Sequence, residues 1–163
     1  MPAIPSSWVL QADKVSLQFP GPTKKALPVN ALRQVSMQLP ASKIIGWVGP
    51  DGAGKTSLMR LVTGLMQPSS GTLSVLGLDS VRDAQTIQSR ISYMPQKFGL
   101  YEDLSVRENF VLYAEIHGVP AEQRDQRYEQ LMHMTDLGRF ADRLAGNLSG
   151  GMKQKLGLAC TLV

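Results

Sequence analysis

The sequence has little cysteine, no long apolar run and no block of charges of one sign. Its one cysteine, Cys160, excludes an internal disulfide and is expected to pack as a small apolar residue on a helix. No apolar stretch approaches the ~20 residues that a transmembrane helix needs. Residues 1–7 lack the basic segment and apolar stretch of a signal peptide. These absences predict no direct membrane insertion, so any membrane association goes through a partner.

The charge balance is only mildly basic. The 163 residues carry a formal net charge of +4, and Lys24 and Lys25 are the only adjacent basic pair. Such a balance predicts a solvated surface rather than a nucleic-acid interface. Hydrophobic residues make up 43% of the chain, which is ordinary for a globular domain with its own core.

The first part of the chain has the apolar patterns of β-strands. Residues 15–19 (VSLQF) and 35–39 (VSMQL) alternate apolar and polar side chains, which predicts half-buried antiparallel strands. Residues 44–48 (IIGWV) are almost continuously apolar and predict a strand covered on both faces. GTLSVLG at 71–77 and ISYM at 91–94 predict two further short strands.

The second part has helix signals. Ser105 and Glu108 have the spacing of a capping box, which predicts a helix that ends near Gly118. Pro120 is expected to start a second helix, and a third is predicted from Ser149 to the end of the chain. The sequence therefore indicates an α/β protein with a strand-rich part, 8–96, and a helical part, 97–163.

Residues 49–56 read G-P-D-G-A-G-K-T and match the phosphate-binding pattern G-x-x-x-x-G-K-[ST]. Glycines let phosphate oxygens approach backbone N–H groups, and the helix that follows, predicted to end near Gly64, directs its unpaired N–H groups at the anion. The lysine adds a full charge, and the threonine hydroxyl suits Mg²⁺. A glycine-rich turn without a ligand is the alternative. The residues predicted to bind ATP are Gly49, Pro50, Asp51, Gly52, Ala53, Gly54, Lys55, Thr56 and Ser57.

Residues 148–154 read L-S-G-G-M-K-Q, which resembles the LSGG signature of ABC ATPases. Gln96 resembles the Q-loop glutamine of that family, and it lies between the phosphate-binding loop and the signature, as in the family. The resemblance extends from Val9 to Val163. It implies a P-loop NTPase fold of the ABC type, with an antiparallel β subdomain, an incomplete P-loop core and an α-helical subdomain.

The resemblance also implies roles for residues outside the phosphate-binding loop. Gln96 would position Mg²⁺ or the attacking water, while Lys55 would place its charge between the β- and γ-phosphates. Thr56 and Gln96 would be the Mg²⁺ ligands. Phe19 resembles the aromatic that stacks on adenine, although a phenylalanine in the core is the alternative. The family's signature binds ATP held by a second nucleotide-binding domain, in a homodimer or a tandem chain. The residues that would do so are Ser149, Gly150 and Gly151.

One residue of the phosphate-binding loop indicates a subfamily: Asp51 stands where most members of the family have Asn. Together with MPQKFGLYEDLSVREN and GMKQKLGLACTLV, it is similar to the first ATP-binding domain of ABC-2 type bacterial exporters. This similarity implies transmembrane permease partners, a role in multidrug export and a cytoplasmic location on the inner face of the membrane. A ribosome-associated ABC ATPase and a non-catalytic ATP-sensing module are the alternatives. The short helical part argues against the coiled-coil DNA-repair relatives.

The chain stops at Val163 inside an apolar helix, which predicts truncation after the signature. In the family, the Asp that holds Mg²⁺, the Glu beside it and a later His all follow this point. The resemblance therefore implies that the 163-residue chain alone has negligible ATPase activity. It also implies an unpaired sheet edge, with marginal stability or association with a second copy.

Overall fold

The computed structural model describes residues 8–21, 23, 26–96 and 99–163. Residues 1–7, in which the sequence predicts no signal peptide, lie outside the described residues. The chain divides into two compact units, Met1–Ile91 and Ser92–Val163, whereas the sequence analysis placed the boundary after Gln96. Each unit has its own core of buried apolar side chains.

The first unit is built on a four-stranded sheet with the order β2-β1-β3-β4. Its strands are β1 (Trp8–Phe19), β2 (Val29–Pro40), β3 (Ser70–Val75) and β4 (Leu78–Asp79), and every neighbouring pair is antiparallel. The predicted strands at 15–19, 35–39 and 71–77 are thus confirmed. In β1 the apolar positions are buried in alternation with more exposed polar ones. One extra residue at a bulge near Lys14 interrupts this period of two between Ala12 and Val15.

Two helices cover the buried face of this sheet. Helix α1 (Lys55–Val62) contributes Leu58 and Leu61 to the core, and the short helix α2 (Ala84–Gln88) contributes Ile87. Helix α1 ends just before Gly64, which has a positive φ of 67°, so the predicted end near Gly64 is confirmed. Because α1 begins directly after residues 49–54, the same packing that buries its apolar side chains also holds this loop in place.

Two predicted strands are wrong. Residues 44–48 and 91–94 have no strand geometry, and Ile44 and Val48 are fully exposed rather than covered on both faces. A continuous apolar run forms a strand only where neighbouring strands pair with its backbone. Within the described part of the chain, no segment pairs with either run.

The second unit contains three main helices, α3 (Val106–Ile116), α4 (Ala121–Thr135) and α5 (Gly150–Leu162). The Ser105–Glu108 capping box at the start of α3 is present as predicted. Turns of 3₁₀ helix at Gly138–Phe140 and Ala145–Asn147 connect α4 to α5.

The core of the second unit lies between these helices. Phe110 and Leu156 are fully buried in it, and the Phe110 ring meets the Tyr128 ring edge to face, with 5.2 Å between centroids. Cys160 is also fully buried in α5, as the sequence predicted. Burial raises its pKa to about 12, so it acts as a small apolar residue. No helix in the described residues is long and apolar enough to span a bilayer.

Candidate functional site

The glycine-rich loop at 49–54 has backbone conformations that explain its glycines. Gly52 and Gly54 have φ angles of 79° and 86°, in the left-handed region that residues with a Cβ resist. The Ala53 N–H donates to the Pro50 carbonyl at 3.3 Å, which closes a turn in the middle of the loop. Gly54 then serves as the N-terminal flank of α1.

Gly54 also has a steric reason to be glycine. A Cβ at this position would lie 2.4 Å from the carbonyl oxygen of Ala31 and 2.8 Å from Cδ2 of Leu32. The loop therefore packs backbone to backbone against β2, which fixes where α1 begins.

The Lys55 side chain folds back over the loop. Its Nζ atom donates to the carbonyl oxygens of Gly49 and Pro50, both at 2.7 Å. These two bonds hold the ammonium group across the loop. A full positive charge is thus placed beside the N-terminus of α1, which itself carries a partial positive charge.

Several backbone N–H groups of the loop are free to bind a ligand. Helical bonding begins only at Leu58, whose N–H donates to the Gly54 carbonyl at 2.9 Å. The first turn of α1 contains no acidic residue, and the Thr56 side chain is exposed. Within the described residues, no acceptor serves the N–H groups of Gly52, Gly54, Lys55, Thr56 and Ser57. Such a set of donors suits a phosphate chain.

Ser149 caps the second glycine-flanked helix start. Its Oγ atom accepts from the Met152 N–H at 3.3 Å, and its carbonyl accepts from the Lys153 N–H at 2.8 Å. The N–H groups of Gly150 and Gly151 have no acceptor in the part of the chain that is described. The N–H groups in this first turn that remain available are thus those of the two glycines.

Among the described residues, no steric contact and no backbone angle requires a glycine at position 150 or 151. A Cβ at either position would meet nothing within 4 Å, and neither residue has a positive φ. Glycine also lowers helix stability relative to alanine. These two glycines therefore leave open space in front of free N–H groups, as close approach of an anion requires.

Phe19 and Gln96 lie in different surroundings. Phe19 ends β1, is half-buried and packs against the core of the first unit, so its environment suits the core alternative as well as an aromatic platform. Gln96 is exposed in the second unit. It borders a small cavity of about 140 Å³ whose other lining residues are Met94, Leu100, Glu102, Lys153 and Gln154.

The described residues contain no cluster of three or more His, Cys, Asp or Glu side chains arranged to hold a metal ion. The predicted Mg²⁺ ligands, Thr56 and Gln96, are a hydroxyl and an amide, and they belong to different units. Their oxygen atoms are of the type that Mg²⁺ prefers. Their role as ligands stays a prediction.

Two features of the second unit were not predicted from the sequence. Asn109 is fully buried and hydrogen-bonds the segment 101–105. Glu102 and Lys153 form an ion pair at 2.7 Å across 51 residues of sequence. Its position three residues after Val106, on the face of α3 that is buried, was the available signal for Asn109. No local pattern reveals a pair so far apart.

Comparisons with known proteins identify the family of this chain. The family model described as ABC transporter matches residues 32–163. The probable multidrug ABC transporter ATP-binding protein YbhF of Escherichia coli is 48% identical over 155 residues, covering 95% of this chain. ABC transporter A family member 3 of Arabidopsis thaliana is 34% identical and covers 97% of this chain. The chain spans only 26% and 17% of the length of these two relatives.

Solved structures share the fold. An ATP-binding subunit of an ABC transporter superposes with a TM-score of 0.73 at 27% identity, covering 94% of this chain and 61% of its own. The ATP-binding cassette MJ0796, solved as a dimer bound to ADP and phosphate, gives a TM-score of 0.79 at 22% identity, covering 94% of this chain and 68% of its own. This chain belongs to the ABC transporter family as an ATP-binding domain with a P-loop fold.

Proposed function

We propose that this chain is part of the energy-coupling ATPase of an ABC exporter and that it binds ATP through residues 49–57. The observation that carries the proposal is the set of free N–H groups at the start of α1 beside the ammonium of Lys55. Charge-assisted hydrogen bonds of this kind contribute roughly 1.5–3 kcal/mol each. A loop with several of them favours a polyphosphate over a single carboxylate.

Lys55 and Gln96 are proposed to act on the reacting phosphate and water. When bound, Mg²⁺ would neutralise phosphate charge as a Lewis acid, and the Thr56 hydroxyl and Gln96 amide are the proposed ligands. Both side chains are exposed, so their oxygen atoms are available. Phe19, at the end of β1, is proposed as the adenine platform.

The second helix start is proposed to bind the γ-phosphate of ATP held by another nucleotide-binding domain. The Met152 N–H already donates to Ser149 Oγ. The N–H groups of Gly150 and Gly151 are therefore left for an external anion. ATP would then hold two domains together, whether as two copies or as tandem domains. ADP lacks the contact with the γ-phosphate, so only ATP would shift the equilibrium.

The export role rests on the relatives. The E. coli protein that is 48% identical is named a probable multidrug ABC transporter ATP-binding protein. We propose for this chain a similar multidrug export role, with transmembrane permease subunits as partners and a position on the inner face of the cell membrane.

The 163 residues by themselves are proposed to bind MgATP without appreciable turnover. Hydrolysis needs a group that orients the attacking water. In the first unit Asp79 and Asp83 are occupied by hydrogen bonds from backbone N–H groups of their own turn. Asp13 lies within β1, and Asp51 is in the exposed part of the loop. We propose that none of these four carboxylates orients the attacking water, and that Gln96 without such a carboxylate does not support appreciable turnover.

The test is a titration of the complete gene product with MgATP, with Lys55→Ala as the variant and Lys43→Ala as the matched control. Lys43 is an exposed lysine of the same unit, outside the loop. We expect Lys55→Ala to weaken binding at least tenfold and to abolish hydrolysis, with Lys43→Ala at the wild-type level. Equal affinity of Lys55→Ala and wild type would overturn the proposed function.

A further inference from the structure

We infer that Glu102 and Lys153 are a positioning pair: their ion pair fixes the start of α5 to segment 101–105. The inference rests on the proposed function, because its consequence is the orientation of the N–H groups that would meet the γ-phosphate. It names two residues that contact no nucleotide in that proposal and act through Ser149, Gly150 and Gly151.

The pair joins the first turn of α5 to a distant segment. Lys153 Nζ donates to Glu102 Oε1 at 2.7 Å. The Lys153 backbone N–H donates to the carbonyl of Ser149, so this lysine and the cap residue belong to the same helical turn. The Lys153 ammonium lowers the pKa of Glu102 through the hydrogen bond first and its charge second, which keeps the carboxylate ionised.

The backbone at Glu102 and at Leu104 is fixed to the turn that precedes the signature. The Glu102 carbonyl accepts from the Gly146 N–H at 2.9 Å, and the Leu104 carbonyl accepts from the Ala145 N–H at 2.8 Å. A Cβ on Gly146 would lie 3.1 Å from the backbone carbonyl oxygen of Glu102, so the two backbones are in close contact. The main chain thus sets the position of Glu102, and its side chain then sets that of Lys153.

Asn109 anchors the same segment on α3. Its Oδ1 atom accepts from the Tyr101 N–H at 2.9 Å. Its Nδ2 group donates to the carbonyls of Tyr101, Leu104 and Ser105 at 2.9–3.1 Å. Asn109 is fully buried, and its bonds are partly or fully buried, so water competes with them less than at the surface. The ion pair is therefore attached to a rigid support.

Two opposite effects of removing the Glu102 charge make the inference testable. Considered as a charge alone, Glu102 repels phosphate, so its neutralisation would strengthen ATP binding at the α5 start. Considered as a positioning residue, it holds the first turn in place, so its neutralisation weakens that binding. Side chains as exposed as these, 66% for Glu102 and 32% for Lys153, limit the effect to about two- to fivefold.

The experiment measures MgATP half-saturation of hydrolysis, ADP affinity and melting temperature in the complete gene product. The variants are Glu102→Gln and Lys153→Met, which remove the pair, and Lys153→Arg, which keeps it. Lys155→Met removes the same charge from an exposed lysine of α5 that has no ion pair among the described residues. ADP affinity reports the phosphate-binding loop, and the melting temperature reports folding.

We expect Glu102→Gln and Lys153→Met to raise the half-saturating MgATP concentration about two- to fivefold, with ADP affinity and melting temperature unchanged. Lys153→Arg and Lys155→Met should stay near wild type. Unchanged or tighter MgATP binding by Glu102→Gln would overturn the inference while the proposed function stands. Should Glu102→Gln fail to fold, equal half-saturation for Lys153→Met and Lys153→Arg would overturn it as well. A wild-type protein without Lys55-dependent binding overturns both.

Discussion

The backbone of Gly54 lies so close to the carbonyl of Ala31 that a Cβ would come within 2.4 Å of its oxygen. A main-chain atom cannot move aside as a flexible side chain does, and the φ of 86° at Gly54 adds strain for any other residue. The position of the phosphate-binding loop is therefore set by contact with β2 as well as by its own sequence.

We expect Gly54→Ala to lower the free energy of unfolding by about 2–3 kcal/mol and to abolish nucleotide binding, because the loop must move away from β2. Urea unfolding and MgATP titration measure the two effects. Gly138→Ala is the control, since Gly138 has no positive φ and its Cβ would meet only an ordinary contact at 3.9 Å. A Gly54→Ala protein with wild-type stability would show that the loop tolerates the side chain.

A substitution at Gly151 is expected to weaken ATP binding without lowering stability. A Cβ there would meet no atom of the described residues within 4 Å, and alanine favours helix over glycine by roughly 0.5–1 kcal/mol. We therefore expect Gly151→Ala to have equal or higher stability in urea unfolding, while the half-saturating MgATP concentration rises at least tenfold. Wild-type MgATP dependence in this variant would mean that no phosphate approaches this helix start closely.

The features predicted correctly from the sequence are those with local causes. The Ser105–Glu108 capping box, the Ser149 cap and the turn at Gly64 each depend on residues within one helical turn, and all three are present. Family membership followed from the loop and signature motifs, which are local too. Such features need no knowledge of what lies across the fold.

The features that the sequence did not reveal depend on distant partners. Residues 44–48 are apolar enough for a buried strand, but a strand also needs neighbours, and none pairs with it in the described chain. The contact of Gly54 with Ala31 and the pair of Glu102 with Lys153 join positions far apart in sequence. The surroundings of Phe19 were left open for the same reason.

Asn109 is expected to be a main determinant of stability in the second unit. Asn109→Ala removes four hydrogen bonds to segment 101–105 and leaves their backbone partners without the buried amide. The three carbonyls keep backbone donors, from Leu104, Ala145 and residue 109 itself, so the Tyr101 N–H is the group that loses its acceptor. We expect the free energy of unfolding to fall by about 1–3 kcal/mol. Urea unfolding of the variant measures this loss. Asn147→Ala, at an exposed asparagine, should change stability little, and an equally small effect at Asn109 would contradict the expectation.

Glu108 is expected to make the stability of the second unit depend on pH in the acidic range. The Ser105 N–H donates to Glu108 Oε2 at 2.7 Å, and this backbone hydrogen bond is the largest cause that lowers the pKa of Glu108 below its ordinary 4.5. A carboxylate with a lowered pKa in the folded state stabilises it fully above the unfolded pKa. That contribution is lost as the pH falls from about 4.5 through the folded pKa.

We therefore expect Glu108→Gln to lose less stability than wild type as the pH falls from neutral to about 3, because glutamine does not titrate. Urea unfolding at a series of pH values measures the difference. The control is Glu129→Gln, at an exposed carboxylate of α4 that has no ion pair or hydrogen bond in the described chain. Its pH profile should follow wild type. Parallel profiles for Glu108→Gln and wild type would mean that the capping box does not couple α3 to protonation.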